Sequence, residues 1–85
     1  MREIKEIRET IPLMTSADCK DRFVAEYYQL KIRKERLRKL LEAFNSDCLG
    51  FELNCPVELL QEQYMLMCQL INILENRARY ENIEL

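Results

Sequence analysis

The sequence predicts an all-α protein: an antiparallel hairpin of two long helices, preceded by a short N-terminal helix and assembled as a homo-oligomer. Apolar residues recur at alternating steps of four and three along the second half of the chain: Leu60, Tyr64, Met67, Ile71, Leu74 and Ala78. That spacing places them on one face of an α-helix. A similar row runs through the first half: Phe23, Tyr27, Leu30, Leu37, Leu41 and Phe44. One glycine and two prolines among 85 residues argue against a turn-rich β fold.

The first stretch, residues 1–12, is expected to hold the short N-terminal helix and a break. Ile4, Ile7 and Ile11 keep helical spacing, with charged residues at most positions between them. Pro12 disfavours helical geometry at the residue before it, so the helix should end there. A helix this short is unstable alone in water and must dock on the rest of the protein.

Two long helices and a loop make up the remainder. The first helix is expected over residues 15–44, where Thr15 and Asp18 resemble a capping box with Asp in place of the usual Glu. Residues 45–56 form the loop, and residues 57–81 form the second helix. Long helices joined by a short loop pack antiparallel, which predicts the hairpin.

A second apolar row on the later helix predicts assembly. It lies beside the first row and comprises Leu59, Leu66, Leu70 and Ile73. The two rows together make an arc wider than one partner helix can cover. Residues 1–85 are expected to form one small domain, and a core of that size is often marginal alone. We therefore expect a homo-oligomer.

The cysteine spacing and the lack of long apolar runs indicate the cellular compartment of the protein. Cys19, Cys48, Cys55 and Cys68 form no C-x-x-C pair, and histidine is absent, so buried or half-buried free thiols are expected rather than zinc ligands. No apolar run approaches the roughly 18 residues of a membrane span. The charged N-terminal stretch is not a secretory signal. These features favour a reducing cytoplasm.

Positive charge concentrates in the first long helix. Residues 20–39 carry eight basic and three acidic groups, net +5, whereas residues 40–85 carry two basic and eight acidic groups, net −6. The run KIRKERLRK, residues 31–39, is its densest part. It is open to three interpretations: a solvated helix face, a contact to nucleic-acid backbone, or a pocket for a small phosphorylated ligand. A nearby acidic helix weakens the nucleic-acid interpretation, because it repels the same polyanion.

Antiparallel pairing predicts a ligand site at the open end of the hairpin. There Lys31 and Arg77 would contact phosphate, and Tyr28 or Tyr80 would stack on a base. Tyr27 fits the core row, whereas Tyr28 and Tyr80 fall off it and are expected to be freer to bind. Gln63 flanks the apolar arc and is a candidate to form a hydrogen bond across an oligomer axis, or to a ligand held there. The alternative interpretation is that Gln63 lies on an exposed flank of the helix and has no binding role.

The sequence gives little evidence for a catalytic function. Histidine is absent, and we find no nucleophile elbow, P-loop or dinucleotide-binding glycine pattern. A binding protein is therefore expected, not an enzyme.

A family resemblance extends over about residues 16–80. The first helix carries Tyr27-Tyr28-Gln29-Leu30-Lys31 and Glu35-Arg36-Leu37, and the second carries Leu60, Glu62-Gln63, Met67, Ile73-Leu74 and Arg77. This pattern resembles phage proteins of the anti-CBASS and anti-Thoeris helical-hairpin family. Members of that family act as sponges, which sequester cyclic nucleotide signals of bacterial immunity without cleaving them. The resemblance implies a compact homo-oligomer, commonly a hexamer, with ligands held between protomers and a short N-terminal helix set across the hairpin.

Two positions of the family bear on its ligand. A lysine in the first half of its first long helix contacts ligand phosphate, and Lys31 is similar to it. One member has a tyrosine–arginine pair just before that helix, where the ring stacks on a base. The matching stretch here, residues 11–14, has no aromatic residue. Base stacking would then fall to Tyr27, Tyr28 or Tyr80.

The resemblance thus implies a phage protein acting in the host bacterial cytoplasm. Its ligand would be a cyclic di- or trinucleotide or a cyclic ADP-ribose-type signal, bound without cofactor or metal. The expected ligand-binding residues are Tyr27, Tyr28, Lys31, Gln63, Arg77 and Tyr80. The alternative is a non-catalytic helical adaptor or regulator that binds another protein or a nucleic acid through its basic first helix.

Overall fold

The computed structural model describes residues 3–85 and is all-helical over that range. A 3-10 helix at Ile7–Thr10 runs into a one-turn helix, α1, at Ile11–Met14. Two long helices follow, α2 at Cys19–Asn45 and α3 at Val57–Tyr80. No residue in the described range belongs to a strand. The prediction of an all-α protein is confirmed.

The N-terminal helical segment lies later than expected. It begins at Ile7 and continues through Pro12, which occupies the first turn of α1. A proline there loses no hydrogen bond, because first-turn N–H groups have no partner within the helix. The expectation that Pro12 ends the helix is therefore wrong. Residues 1 and 2, where the expected segment starts, lie outside the described residues.

Thr10 connects the N-terminal helical segment to α2 through a hydrogen bond. Thr10 is fully buried. Its hydroxyl donates to the carbonyl of Ile7 at 2.6 Å and accepts from the Gln29 amide at 2.8 Å. The Gln29 amide also lies 3.3 Å from the sulfur of Met14. These contacts explain how a helix too short to be stable alone holds its place.

The first long helix starts at Cys19, four residues after the expected start. Asp18 is its N-cap, with extended backbone geometry, and its carboxylate accepts from the Lys20 N–H at 2.9 Å. The Ser16 hydroxyl accepts from the Asp18 N–H at 3.1 Å and donates to the Asp21 carboxylate at 2.8 Å. A carboxylate and a hydroxyl thus satisfy N–H groups that a helix start leaves unpaired.

The core lies between the first half of α2 and the second half of α3. Its buried members are Phe23, Val24, Tyr27, Tyr28, Ile71, Leu74 and Ala78. Ile4, Leu13, Leu30, Ile83 and Leu85 are partly buried and pack against it. Leu74 is 2% exposed, and full burial of a leucine contributes about 1.5–3 kcal/mol.

The two apolar rows of α3 have different environments. Every residue of the first row is buried or half-buried, from Leu60 to Ala78. The second row is exposed: Leu59 56%, Leu66 56%, Leu70 40% and Ile73 54%. One row is therefore covered by this chain, and the other remains a stripe of apolar side chains on the surface.

The cysteines are free thiols, but none is fully buried. Cys55 and Cys68 are half-buried, as expected for packing residues, whereas Cys19 and Cys48 are exposed. Cys19 is exposed because it occupies the first position of α2, and Cys48 because it lies in the loop. Between residues 3 and 85, no group of three or more acidic or thiol side chains is arranged to hold a metal ion. Over the same range, no helix has the length and apolarity needed to cross a membrane.

Candidate ligand-binding site

Tyr27 and Tyr28 form an edge-to-face pair on the inner side of α2. Their ring centroids are 5.1 Å apart and their planes meet at 88°. The Tyr27 hydroxyl donates to the Glu75 carboxylate on α3 at 2.7 Å, and the Tyr28 hydroxyl donates to the backbone carbonyl of Leu85 at 2.9 Å. Burial, followed by the hydrogen bond to Glu75, raises the pKa of Tyr27 well above its usual value. Tyr27 is therefore a neutral donor at physiological pH.

Lys31 lies one helical turn from this pair, over both rings. Its ammonium nitrogen is 5.8 Å from the Tyr27 centroid and 5.7 Å from the Tyr28 centroid. At that distance the ring quadrupoles attract the cation. The residue is exposed, so the ammonium group is held in place by the rings while it stays open to solvent.

These three residues share a cleft of about 330 Å³. Its other lining residues are Glu75, Glu84 and Leu85. The cleft therefore combines aromatic surface and one ammonium group with two carboxylates. The negative charge of the carboxylates would repel a phosphate inside the cleft. An ionised carboxylate only accepts hydrogen bonds, so these groups could instead accept from the N–H groups of a nucleobase edge.

Arg77 contributes to a different part of the surface. Its guanidinium carbon lies 4.9 Å from the centroid of the Phe23 ring, and its Nε is 2.8 Å from the Glu81 carboxylate. The hydrogen bond to Glu81 raises the pKa of Arg77. The side chain is exposed, and a phosphate group that approaches it must compete with Glu81.

Tyr80 lies at the end of α3 and is 89% exposed. It lines a shallow cleft of about 490 Å³ together with Asn76 and Arg79. The Arg79 guanidinium contacts the Asn76 amide oxygen. Sequence reasoning did not include Arg79 in the site. Its position next to Tyr80 and three residues after Asn76 was the available signal.

Gln63 does not join the other site residues within one chain. It is exposed in the first half of α3. Fourteen residues separate it from Arg77, which corresponds to about 21 Å along the helix axis. A site that includes Gln63 must therefore combine different copies of the chain.

The expectation that Tyr28 is free to bind is wrong for the isolated chain. Tyr28 is 3% exposed and Tyr27 is 4% exposed. Both rings belong to the core cluster, and the segment after α3 adds to its cover through Ile83 and Leu85. Sequence reasoning missed Glu75, Glu84 and Leu85. The apolar residues at 83 and 85, just past the last turn of α3, were the signal that the chain returns to the core.

Carboxylates on α2 itself neutralise part of the positive charge of residues 31–39. Arg38 contacts the carboxylates of Glu35 and Glu42. The hydrogen bond to Arg38 lowers the pKa of Glu35. Arg33 and Arg36 are exposed on the same helix. A basic surface therefore exists on α2, with part of its charge balanced by carboxylates one turn away.

Comparison with known proteins places these features in a family. No curated protein and no solved structure matches the chain. A family model described as Sequestin matches residues 17–80, which include all of α2 and all of α3. The name suggests a sequestering role and fits the phage sponge family that the sequence resembles, so that resemblance is confirmed. Since the match covers well over half of the residues, the chain belongs to the Sequestin family.

Proposed function

We propose that this protein binds a cyclic nucleotide second messenger of bacterial defence and sequesters it without cleaving it. It would act as a phage-type immune-evasion protein in the cytoplasm of the host bacterium. The observation that carries the proposal is the cluster of Lys31 over Tyr27 and Tyr28, which lies inside the region matched by the family. That cluster brings together the two kinds of group that a nucleotide needs, aromatic rings and a cation, although both rings are buried in the isolated chain.

The binding energy has three sources under this proposal. Base stacking on a tyrosine contributes about 1–3 kcal/mol. A charge-assisted contact between Lys31 or Arg77 and phosphate contributes about 1.5–3 kcal/mol. Burial of the ligand between protomers supplies the rest. Because sequestration needs no bond to be broken, affinity alone performs the function, which agrees with a histidine-free sequence.

The site is completed by assembly in this proposal. The protein would be an antiparallel hairpin that forms a homo-oligomer, and the family resemblance implies a hexamer. The exposed row Leu59, Leu66, Leu70 and Ile73 supports assembly, because contiguous apolar surface of this kind usually marks an interface. Assembly would also bring Gln63 of one copy toward the ligand of another.

A panel of cyclic nucleotides tests the function. Purified protein is mixed with cyclic di-GMP, cyclic di-AMP, cyclic tri-AMP or cyclic ADP-ribose, and its melting temperature is measured. A ligand at one hundred times its Kd stabilises the folded state by about 2.7 kcal/mol. The bound fraction is then released by heat and analysed chromatographically. Recovery of intact nucleotide is expected for a sponge, and recovery of a linear product would show cleavage instead.

The second candidate is a helical adaptor that binds another protein or a nucleic acid through α2. The exposed Arg33 and Arg36 favour it. An adaptor would show no thermal shift with any nucleotide of the panel. Its affinity for a polyanion such as heparin would fall steeply with salt, because phosphate or sulfate contacts release counterions.

A further inference from the structure

The segment after α3 reverses direction at Asn82. This residue has a φ of 56°, in the left-handed region that asparagine tolerates better than most residues. The Ile83 N–H donates to the Ala78 carbonyl at 2.8 Å, and the Glu81 N–H donates to the Arg77 carbonyl at 2.8 Å. The first of these bonds spans six residues and is typical of a helix end that turns back on itself. The chain is thereby directed toward α2.

Residues 82–85, here called the strap, are then fixed over the tyrosine pair. Ile83 and Leu85 pack against the core cluster. The carbonyl of Leu85 accepts the hydrogen bond from the Tyr28 hydroxyl at 2.9 Å. The Lys20 ammonium lies 3.5 Å from the carbonyl of Asn82. Ile83, Leu85 and the hydrogen bond from Tyr28 thus contribute to holding the strap.

The strap forms part of the wall of the tyrosine cleft. Stacking requires a free ring face, but Tyr27 and Tyr28 are 4% and 3% exposed. Leu85 and Glu84 line the same cleft as the two rings and Lys31. A base that enters this cleft therefore meets Glu84 and Leu85 beside the two rings.

We propose that the strap is an autoinhibitory contact, which occupies the aromatic cleft in the free protein and is displaced when a nucleotide binds. The inference rests on the proposed function and adds a regulatory step to it. The observed affinity is then the intrinsic affinity reduced by the fraction of molecules in which the strap is open. Weakening the strap raises that fraction and therefore tightens binding.

A matched pair of variants tests the strap. Ile83→Ser combined with Leu85→Ser removes both apolar anchors. Asn82→Gly is the control, since glycine adopts the same positive φ and the side chain of Asn82 is exposed. Binding of cyclic di-AMP, cyclic tri-AMP and cyclic ADP-ribose is measured by calorimetry for the wild type and both variants. For any probe that binds the wild type, we expect the double variant to bind about ten-fold more tightly and the control to be unchanged.

Hydrogen exchange on the wild type supplies a test that needs no variant. The Ile83 amide is protected by its bond to Ala78, and its exchange should accelerate when a bound nucleotide displaces the strap. Faster exchange with tighter binding by the double variant supports the proposal. Unchanged exchange, or equal or lost binding by the double variant, overturns the strap alone. If neither wild type nor double variant binds any probe, the proposed function fails and the strap falls with it.

Discussion

The Tyr27 hydroxyl and the Glu75 carboxylate join α2 to α3 through a hydrogen bond of 2.7 Å. Tyr27 is buried, whereas Glu75 is exposed. The bond therefore forms at the edge of the core, where the ring supplies packing and the carboxylate meets water. This arrangement makes the contribution of the hydrogen bond separable from that of the ring.

Tyr27→Phe keeps the ring and removes the donor. We expect the free energy of unfolding to fall by about 0.5–1.5 kcal/mol, the usual net value of one hydrogen bond. Glu75→Ala removes the acceptor and should cost a similar amount, because the Tyr27 hydroxyl then loses this partner. Urea denaturation of both single variants and the double variant measures the coupling. Independent effects of the two substitutions would contradict a direct bond.

Alkaline pH should destabilise the protein through the same tyrosine. The pKa of Tyr27 is raised in the folded state, so the folded protein retains a proton that the unfolded chain loses above its ordinary pKa of 10.0. Stability is therefore fully present below that pH and declines as pH rises beyond it. Tyr27→Phe should make the decline shallower in urea melts. Tyr80→Phe, at a tyrosine that is 89% exposed, is the control and should leave it unchanged.

Assembly is tested at the exposed row of α3. Light scattering should give a mass well above the 10.3 kDa of one chain. Leu70→Glu places a charge in the middle of the row and should dissociate or unfold the protein. Gln69→Glu adds the same charge at the adjacent exposed position outside the row, and its mass should match the wild type. A stable monomer in dilute solution would contradict the shared site.

Lys31 and Lys39 distinguish a pocket from a diffuse basic face. Lys31→Ala or Arg77→Ala should weaken binding of a panel nucleotide about ten-fold or more, equivalent to about 1.4 kcal/mol. Oligomer mass and melting temperature should stay unchanged. Lys39→Ala, in the same basic run but near the loop, should have little effect. Equal losses at Lys31 and Lys39 would indicate that the ligand follows the whole basic surface of α2.

The thiols should be dispensable for folding. A strong chelator is expected to leave the melting temperature unchanged, and Cys48→Ser with Cys55→Ser should cost little, since Cys48 is exposed and Cys55 is half-buried. Melting curves with and without chelator check this. Stoichiometric zinc in the purified protein, or unfolding by the chelator, would show a structural metal site.

The hydrophobic periodicity of the sequence predicted the long helices. It did not predict the places where the chain turns back toward the core or starts a new helix. The row from Leu60 to Ala78 is buried or half-buried because helical spacing alone determines which side chains share a face. The contact between Tyr28 and Leu85 could not be predicted in that way, since it follows a turn with a positive φ at Asn82. Pro12 was misjudged for a related reason: the same residue ends one helix or begins another, depending on where the neighbouring N–H groups find partners.

Because the core lies at one end of the two long helices, the free energy of local opening should differ between the two ends. The packed cluster around Tyr27 and Leu74 lies at one end, whereas Phe44 and Phe51 near the loop are 38% and 61% exposed. Amides of α2 and α3 within the cluster should exchange only on global unfolding, whereas amides beside the loop should exchange through local openings of lower free energy. The tyrosine rings therefore lie in the most ordered part of the chain. Once the strap is displaced, a nucleotide would meet tyrosine side chains whose conformational entropy was already lost on folding, so stacking on them requires little further ordering.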